Sequence, residues 1–373
     1  MIYADNAATT KLDMDAFEAM KPFLFEEYGN ISQPYSFARA GKRALKNARA
    51  TIAEYIGALP EEIFFTSGGT ESDNWAIKGI ALQGGLHGEV ITSSIEHNAV
   101  LRSCEALEHM GYSIKYLPVT EKCVVQPTTL KNSISDKTKL VSVMLANNEV
   151  GTIQPVSELA DIAHQKGVLF HTDAVQAIGH IEVNVQKLGV DLLSASAHKF
   201  NGPKGIGFLY IRKGTNIIPY TDGGAQEFGR RAGTENIASI VAMATALKKN
   251  CDNLKENTLK LKHLESCVMD TLLAAGVDYI RNGSENIIPG NLSLSFRNAD
   301  GETLLHRLDL MEICVSTGSA CDAVNTQISH VLKAIGIVPE YAKGTIRVSF
   351  GCGNTESDAI SVANAIVRIL SKK

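Results

Sequence analysis

Residues 192–211, LLSASAHKFNGPKGIGFLYI, hold two apolar, β-rich runs joined by a short glycine- and proline-containing stretch. "LLSASA" (192–197) and "GIGFLYI" (205–211) have the length and composition of strands, and "FNGPKG" between them reverses the chain. Ser194, Ala195, Ser196 and Ala197 are small, so another group can approach the first strand closely. His198 and Lys199 emerge at its end. Lysine is seldom fully buried without a partner, so Lys199 reads either as a surface residue of the turn or as a functional amine.

The same texture extends upstream. "EIFFT" (62–66), "EVITS" (89–93), "SIKYLPV" (113–119), "LVSVML" (140–145) and "VLFHTDA" (168–174) are further strand candidates, separated by stretches with helical spacing such as "AVLRSCEALEHMG" and "PVSELADIAHQKG". Strand and helix alternating in this way predict an α/β fold with a largely parallel sheet covered on both faces. After Gly233 the pattern changes to a long helical region followed by alternating strands such as "NLSLSF" and "GTIRVSF", which predicts a second, smaller α+β domain with a boundary near residue 255. A chain of 373 residues is long enough for one large and one smaller domain.

Composition narrows the partners. Thirty-six basic and 40 acidic residues give a formal charge of −4, which argues against a nucleic-acid footprint or a polybasic membrane anchor and favours a small-molecule partner. The opening "MIYADNAATTKLD" carries Asp5 where a signal peptide needs a basic start and an apolar stretch, and no run reaches the ~18 apolar residues of a membrane span, so a cytoplasmic location is expected. Seven scattered cysteines with no C-x-x-C pair argue against a disulfide framework and against a zinc site, and most are expected to be buried apolar fillers.

Three strand-end motifs carry the chemistry. In "FFTSGGTESDN" a strand runs into Gly68, Gly69 and Thr70 and then a helix, a turn whose free amides suit an anion; the alternative is a capping box of Thr70 and Asp73. "FHTDAVQAIG" ends a strand at Asp173 with Gln176 beyond it, at the carboxyl edge where open α/β sheets bind ligands; an N-cap or a structural ion pair is the alternative there. Lys199 ends the third. Together an anion cradle, a carboxylate and an amine match the needs of pyridoxal 5′-phosphate: a phosphate anchor, a partner for the pyridinium nitrogen and a Schiff-base amine.

On these motifs, and on "YADNAATT", "EHNAV", "NNEVGTIQP", "RRAGTEN", "STGSAC" and "TIRVSFG", the chain resembles the fold-type I pyridoxal-phosphate enzymes, and within them the cysteine desulfurases of the iron-sulfur-cluster-assembly type, relatives of the class V aminotransferases. The resemblance runs nearly end to end. It implies a large domain (residues 14–255) with a seven-stranded, mostly parallel sheet, and a small domain made of residues 1–13 and 256–373. It also implies a homodimer. Lys199 is implied to carry the cofactor, Asp173 to pair with the pyridinium, Gln176 to contact the ring hydroxyl and His97 to stack on the ring and move protons. Gly69, Thr70, Ser196 and His198 would hold the phosphate, reached also by Thr234 of the neighbouring subunit. Asn147 would contact a cofactor oxygen or the substrate carboxylate.

Arg347 shares the polar face of an alternating strand with Thr345 and Ser349, and its planar fork suits an α-carboxylate; a rim salt bridge is the alternative. Cys321, in a stretch of small and polar residues, would be the nucleophile that takes sulfur from L-cysteine as a persulfide, leaves L-alanine and passes the sulfur to a protein acceptor. The chain departs from the family pattern at Tyr35, where a histidine is common, at Ala225 and Phe228, and at Asp322, a carboxylate beside the thiol. Rival readings are a selenocysteine lyase, another aminotransferase-like enzyme, and a non-catalytic assembly scaffold.

Overall fold

The structure, a computed structural model, describes residues 1–83, 85, 87–317 and 328–371. Among the described residues the strands in chain order are β1 (Ile2–Tyr3), β2 (Ile63–Thr66), β3 (Glu89–Ser93), β4 (Ser113–Leu117), β5 (Thr138–Ser142), β6 (Leu169–Asp173), β7 (Leu192–Ser196), β8 (Gly207–Ile211), β9 (Tyr279–Arg281), β10 (Asn291–Phe296), β11 (Ile313–Cys314) and β12 (Thr345–Ser349). Seven of them form one sheet in the order β2-β8-β7-β6-β5-β3-β4. These are the seven runs expected from sequence. The run "LVSVML" was expected to continue to Leu145, but β5 stops at Ser142: Val143 and Leu145 still bond the His171 and Asp173 carbonyls beside β6, at 3.1 and 2.8 Å, while Met144, on the β3 side, turns its N–H to the Glu96 carboxylate at 3.0 and 3.1 Å.

Strands β3 to β7 pair in parallel, and β8 lies antiparallel to both β7 and β2. That direction follows from the short "FNGPKG" link, since a parallel neighbour needs a crossover of a dozen or more residues. The chain leaves β3 outward to β4 and returns as β5 on the other side of β3, so the strand order reverses between β3 and β5. Ligand crevices of open α/β sheets form at such a reversal.

Both faces of the sheet are covered. Val141, Phe170, Leu193, Ala195, Phe208 and Tyr210 face one core, with Ile52, Ile56 and Leu247 from the helices Arg39–Ile56 and Ile237–Asp252. Phe64, Val90, Leu140, Leu192 and Leu209 face the other, with Trp75 and Ile77 of the helix Gly69–Ala81 and Val100 and Leu107 of the helix Asn98–His109. Adjacent residues Leu192 and Leu193 thus point into opposite cores, the two-sided burial typical of parallel strands.

A further core surrounds the antiparallel sheet β12-β10-β9. Leu292, Leu294, Phe296, Ile346 and Val348 enter it from alternate strand positions, while Leu261, Leu264, Val268 and Leu272 form a stripe at helical spacing on the helix Leu254–Ala274. The long helical region is two helices, not one: the chain leaves helical geometry at Asn253, between Ile237–Asp252 and Leu254–Ala274, where the Asn253 side-chain amide donates to the Lys249 carbonyl at 2.8 Å. Residues 1–10 bridge the two parts: β1 pairs parallel with β11, the Asn6 N–H bonds the Ser349 carbonyl at 3.0 Å, and the Thr10 N–H bonds the His198 carbonyl at 2.9 Å.

No helix among the described residues is long and apolar enough to cross a membrane. The expectation of mostly buried cysteines fails: of the described ones only Cys104 and Cys123 are buried, Cys251, Cys267 and Cys314 are half-buried, and Cys352 is exposed.

Candidate active site

Most side chains of the site are placed by the end of an element; Arg347 stands mid-strand. Strand β2 runs through Ser67 and Gly68 into the helix Gly69–Ala81. Gly68 has φ of 150°, and a Cβ on Gly69 would meet Val175 Cγ2 at 2.6 Å, so both positions need glycine. The first backbone bond of this helix runs from the Ser72 N–H to the Gly68 carbonyl. The amides of Gly69, Thr70 and Glu71 before it have no intrahelical acceptor, which makes the turn an anion cradle. Glu71 would oppose an anion, but Arg231 engages its carboxylate at 2.8 and 3.1 Å. The capping-box reading of Thr70 does not hold: the N-cap is Gly68, and Asp73 is buried against the cavity.

His97 caps the helix Asn98–His109, its Nδ1 accepting the Ala99 N–H at 3.1 Å. That bond leaves Nε2 as the protonated nitrogen of a neutral ring. Burial holds the His97 pKa below the usual histidine value; the Asp173 charge pulls the other way, and Lys199 and His330 add to the lowering. Asp173, at the end of β6, accepts the Val175 N–H at 2.8 Å. Burial pushes its pKa up, opposed by His97, the Val175 N–H and Lys199. A carboxylate so placed is most stable with a cation against it.

After β7 the chain makes a single turn, Ala197–Lys199, that aims Lys199 across the cavity. Lys199 Nζ donates to the carbonyls of Ala7 and Ala8 at 2.7 and 2.8 Å, and Gln176 Nε2 donates to the Ala7 carbonyl at 3.0 Å. His198 Nδ1 lies 3.1 Å from Thr9 Oγ1, and burial, with Lys199 and Lys204, brings its pKa down to about 4. Arg347, mid-strand in β12, is buried; its guanidinium donates to the Asn148 carbonyl at 2.7 Å and to Asp5 at 2.8 Å, while its Nε has no hydrogen-bond partner.

Gly69, Thr70, His97, Asp173, Gln176, Ser196, His198, Lys199 and Arg347 all border one cavity of about 380 Å³. Two sequence-predicted residues stand elsewhere. Asn147 is fully buried in the loop after β5: its amide donates to the Ile95 carbonyl at 2.9 Å and its oxygen accepts the N–H groups of Glu149 and Val150. Asn148 borders the cavity in its place. Thr234 lines a separate cleft with Ser67, Gly205 and Arg231. Tyr35 is exposed, its hydroxyl accepting the Asn30 N–H at 3.1 Å. Cys321 and Asp322 lie outside the described residues.

Sequence reasoning missed Asp73, His330, Asn148 and the carbonyls of Ala7 and Ala8. Asp73 sits on the same helix as the glycine turn, which was its signal. The two carbonyls belong to "YADNAATT", a segment noticed only as a mark of family likeness.

A deep cavity at a strand-order reversal, with an anion cradle, a buried carboxylate, a neutral histidine and an amine on its walls, defines a fold-type I site. The chain belongs to the class-V aminotransferase family: the family model described as "Aminotransferase class-V" matches residues 2–361. It is 47% identical over 373 residues to the cysteine desulfurase IscS of Dictyoglomus turgidum, covering 100% of this chain and 95% of that one. It is 45% identical to the cysteine desulfurase IscS of Methanosarcina thermophila, covering 100% and 92%. Among solved structures, a NifS-like protein matches with a TM-score of 0.93 and 40% identity over 99% of each chain. SspA in complex with cysteine matches with a TM-score of 0.85 and 32% identity, covering 94% of this chain and 99% of that one.

Proposed function

We propose that the chain is a pyridoxal 5′-phosphate-dependent cysteine desulfurase that converts L-cysteine to L-alanine and carries the sulfur as a persulfide on Cys321. The observation that carries this reading is the convergence of Lys199, Asp173, His97 and Arg347 on one cavity beside the Gly68–Gly69 turn. The donor set fits the cofactor. The buried Asp173 suits a protonated ring nitrogen, His97 offers a flat neutral face, Gln176 a side-chain amide, and Ser196, His198, Thr70 and the free amides at Gly69 suit a phosphate.

Bound there, pyridoxal 5′-phosphate would supply an electron sink for the pair released at the substrate's Cα. Lys199 Nζ would hold the cofactor, and as a free amine it would take the Cα proton and return one. Arg347 binds the α-carboxylate, its guanidinium oriented by Asp5 and the Asn148 carbonyl. His97, held neutral by burial, exchanges a proton through Nε2. In the transfer step the Cys321 thiolate forms a bond to the substrate sulfur as the substrate C–S bond breaks; the electron pair of that bond goes to the carbon side, where Cβ takes up the proton released by the Cys321 thiol and Lys199 returns the one taken from Cα, completing L-alanine. The net change is L-cysteine plus a Cys321 thiol to L-alanine plus a Cys321 persulfide.

The reading includes two domains, residues 14–255 and residues 1–13 with 256–373, in keeping with the separate cores around the two sheets. It also includes a cytoplasmic homodimer in which Thr234 reaches the partner's phosphate site, and a protein acceptor for the sulfur. Borohydride reduction of the purified protein should fix cofactor mass to the peptide holding Lys199. Incubation with L-cysteine should yield L-alanine and a persulfide on the Cys321 peptide, and Cys321→Ser should lose the persulfide while keeping the bound cofactor. Cofactor fixed to another lysine, or persulfide formed in Cys321→Ser, overturns the reading.

A further inference from the structure

The half-buried Cys267 lies far in sequence from every residue of the site described above and belongs to a side-chain cluster of its own. The helix Leu254–Ala274 buries Leu261, Leu264, Val268 and Leu272 against the second core. His263 and Cys267, four residues apart, therefore lie on one side of the same helix, next to that stripe. The helix Glu356–Leu370 packs into the same core through Val362, Ala363, Ile366 and Ile369. Its start is fixed by a capping box in which Thr355 accepts the Asp358 N–H and Asp358 accepts the Thr355 N–H. Glu356, its first residue, is thereby delivered to His263 and Cys267.

His263 Nε2 lies 3.0 Å from Glu356 Oε2 and 3.7 Å from Cys267 Sγ, and one ligand atom from each of the three lies within 4.8 Å of the others. A tetrahedral zinc ion with bonds of about 2.0–2.1 Å to nitrogen and oxygen and about 2.3 Å to sulfur has N···O edges of about 3.3 Å and N···S edges of about 3.6 Å. The two edges that His263 shares are already close to those of such a site, and the third lies within 4.8 Å.

We propose that His263, Cys267 and Glu356 form a surface site for a zinc-like divalent cation. A thiolate, an imidazole and a carboxylate are a borderline donor set, suited to zinc rather than to calcium or magnesium, which take all-oxygen ligands. Burial, helped by Glu356 and Asp270, raises the Cys267 pKa, and the same negative neighbours favour a dication. On binding, the thiol releases its proton to solvent and His263 coordinates through Nε2 with its proton on Nδ1. The fourth corner is left to water, so the ion remains exchangeable. It ties the helices Leu254–Ala274 and Glu356–Leu370 together from outside their shared core. The sequence argument against zinc rested on the absence of C-x-x-C; a histidine and a cysteine four apart on a helix are a different route to the same chemistry. Among the described residues the other trio of this kind, Asp73, His97 and Asp173, borders the cavity already described.

The test uses the cofactor-loaded protein with Cys321→Ala as background, so that the thiol assigned to catalysis does not compete. Titration with Co²⁺ should give one equivalent per chain with a thiolate-to-metal charge-transfer band, displaced by Zn²⁺. Cys267→Ser should abolish that band, whereas Cys352→Ser and Cys314→Ser should leave it intact. His263→Ala and Glu356→Gln should each weaken binding at least about tenfold. Absence of a saturable band, or a band that survives Cys267→Ser, overturns the proposal and leaves an ordinary histidine–glutamate ion pair.

Discussion

The two sheets contribute to the cavity in different ways. The seven-stranded sheet presents its carboxyl edge, so its functional residues stand just beyond strand ends: Gly69 after β2, His97 after β3, Asp173 at the end of β6, Lys199 after β7. The antiparallel β12-β10-β9 sheet presents a face, and Arg347 projects from mid-strand among Ser293, Ser295, Thr345 and Ser349. Parallel strands gather loops at one edge, where side chains can be varied without disturbing a ladder. An antiparallel sheet backed by a core on one face offers a rigid polar platform on the other. The first arrangement suits groups that move protons, the second a group that only has to hold an anion in place.

The difference is open to test. Lys199→Ala should lower L-alanine release from L-cysteine about a thousandfold or more, because both the attachment amine and the base are lost. Far-UV circular dichroism should be unchanged. Asp173→Asn should come next, with turnover down on the order of a thousandfold and cofactor lost on dialysis: two opposite charges ~4 Å apart at an effective dielectric of about 20 gain about 4 kcal/mol. On the face of the smaller sheet, Arg347→Lys keeps a cation beside Asp5 but removes the fork. It should raise KM for L-cysteine about 10- to 100-fold with little change in kcat, since hydrogen bonds to charged groups contribute about 1.5–3 kcal/mol. An equal fall in kcat for Arg347→Lys and Asp173→Asn would erase the division between edge and platform.

The smallest effect lies beneath the edge. Burial pushes Glu96 up to about 8, and Asp73 well above the usual carboxylate range. For an acid whose folded pKa is raised, the folded state binds more protons between the unfolded value near 4.5 and about 8, so stability falls as pH rises through that window. His171 and His198, lowered by burial to about 3 and about 4, act in the opposite sense: stability falls as pH drops below 6.5. Tm measured against pH should therefore peak between about 4.5 and 6.5. Glu96→Gln should flatten the alkaline limb and leave the acid limb alone. An unchanged alkaline limb would show that Glu96 is ionised in the fold.

Six of the seven strands of the larger sheet were legible because a strand buried on both faces is a short apolar run with little competing pattern, as in β3 and β7, whereas β4, at the edge, is largely uncovered. The strand-end residues were legible for a related reason, since a charged or glycine-rich cluster directly after such a run stands out. The loop after β5 was not. Asn147 and Asn148 are adjacent and identical, and the turn held by the Asn147 oxygen decides which one faces the cavity; a loop has no periodicity to reveal that. Ala7 and Ala8 act through main-chain carbonyls, which no side-chain pattern announces. The break at Asn253 was hidden because polar residues on both sides continue the helical composition.

The segment of residues 1–10 has a consequence for synthesis. Asp5 meets Arg347 across 342 residues of chain, and Ile2 and Tyr3 find their strand partners only at Ile313 and Cys314. The seven-stranded sheet is complete in sequence at Ile211, so a growing chain can form it while Ile2, Tyr3 and Asp5 still lack their partners. The carbonyls of Ala7 and Ala8 can reach Lys199 at that stage, and Thr10 the His198 carbonyl, whereas Arg347 and the strand partners of Ile2 and Tyr3 arrive only with the last part of the chain. A nascent chain therefore carries its amine and its carboxylate long before it can use them, and the reactive pocket is assembled last.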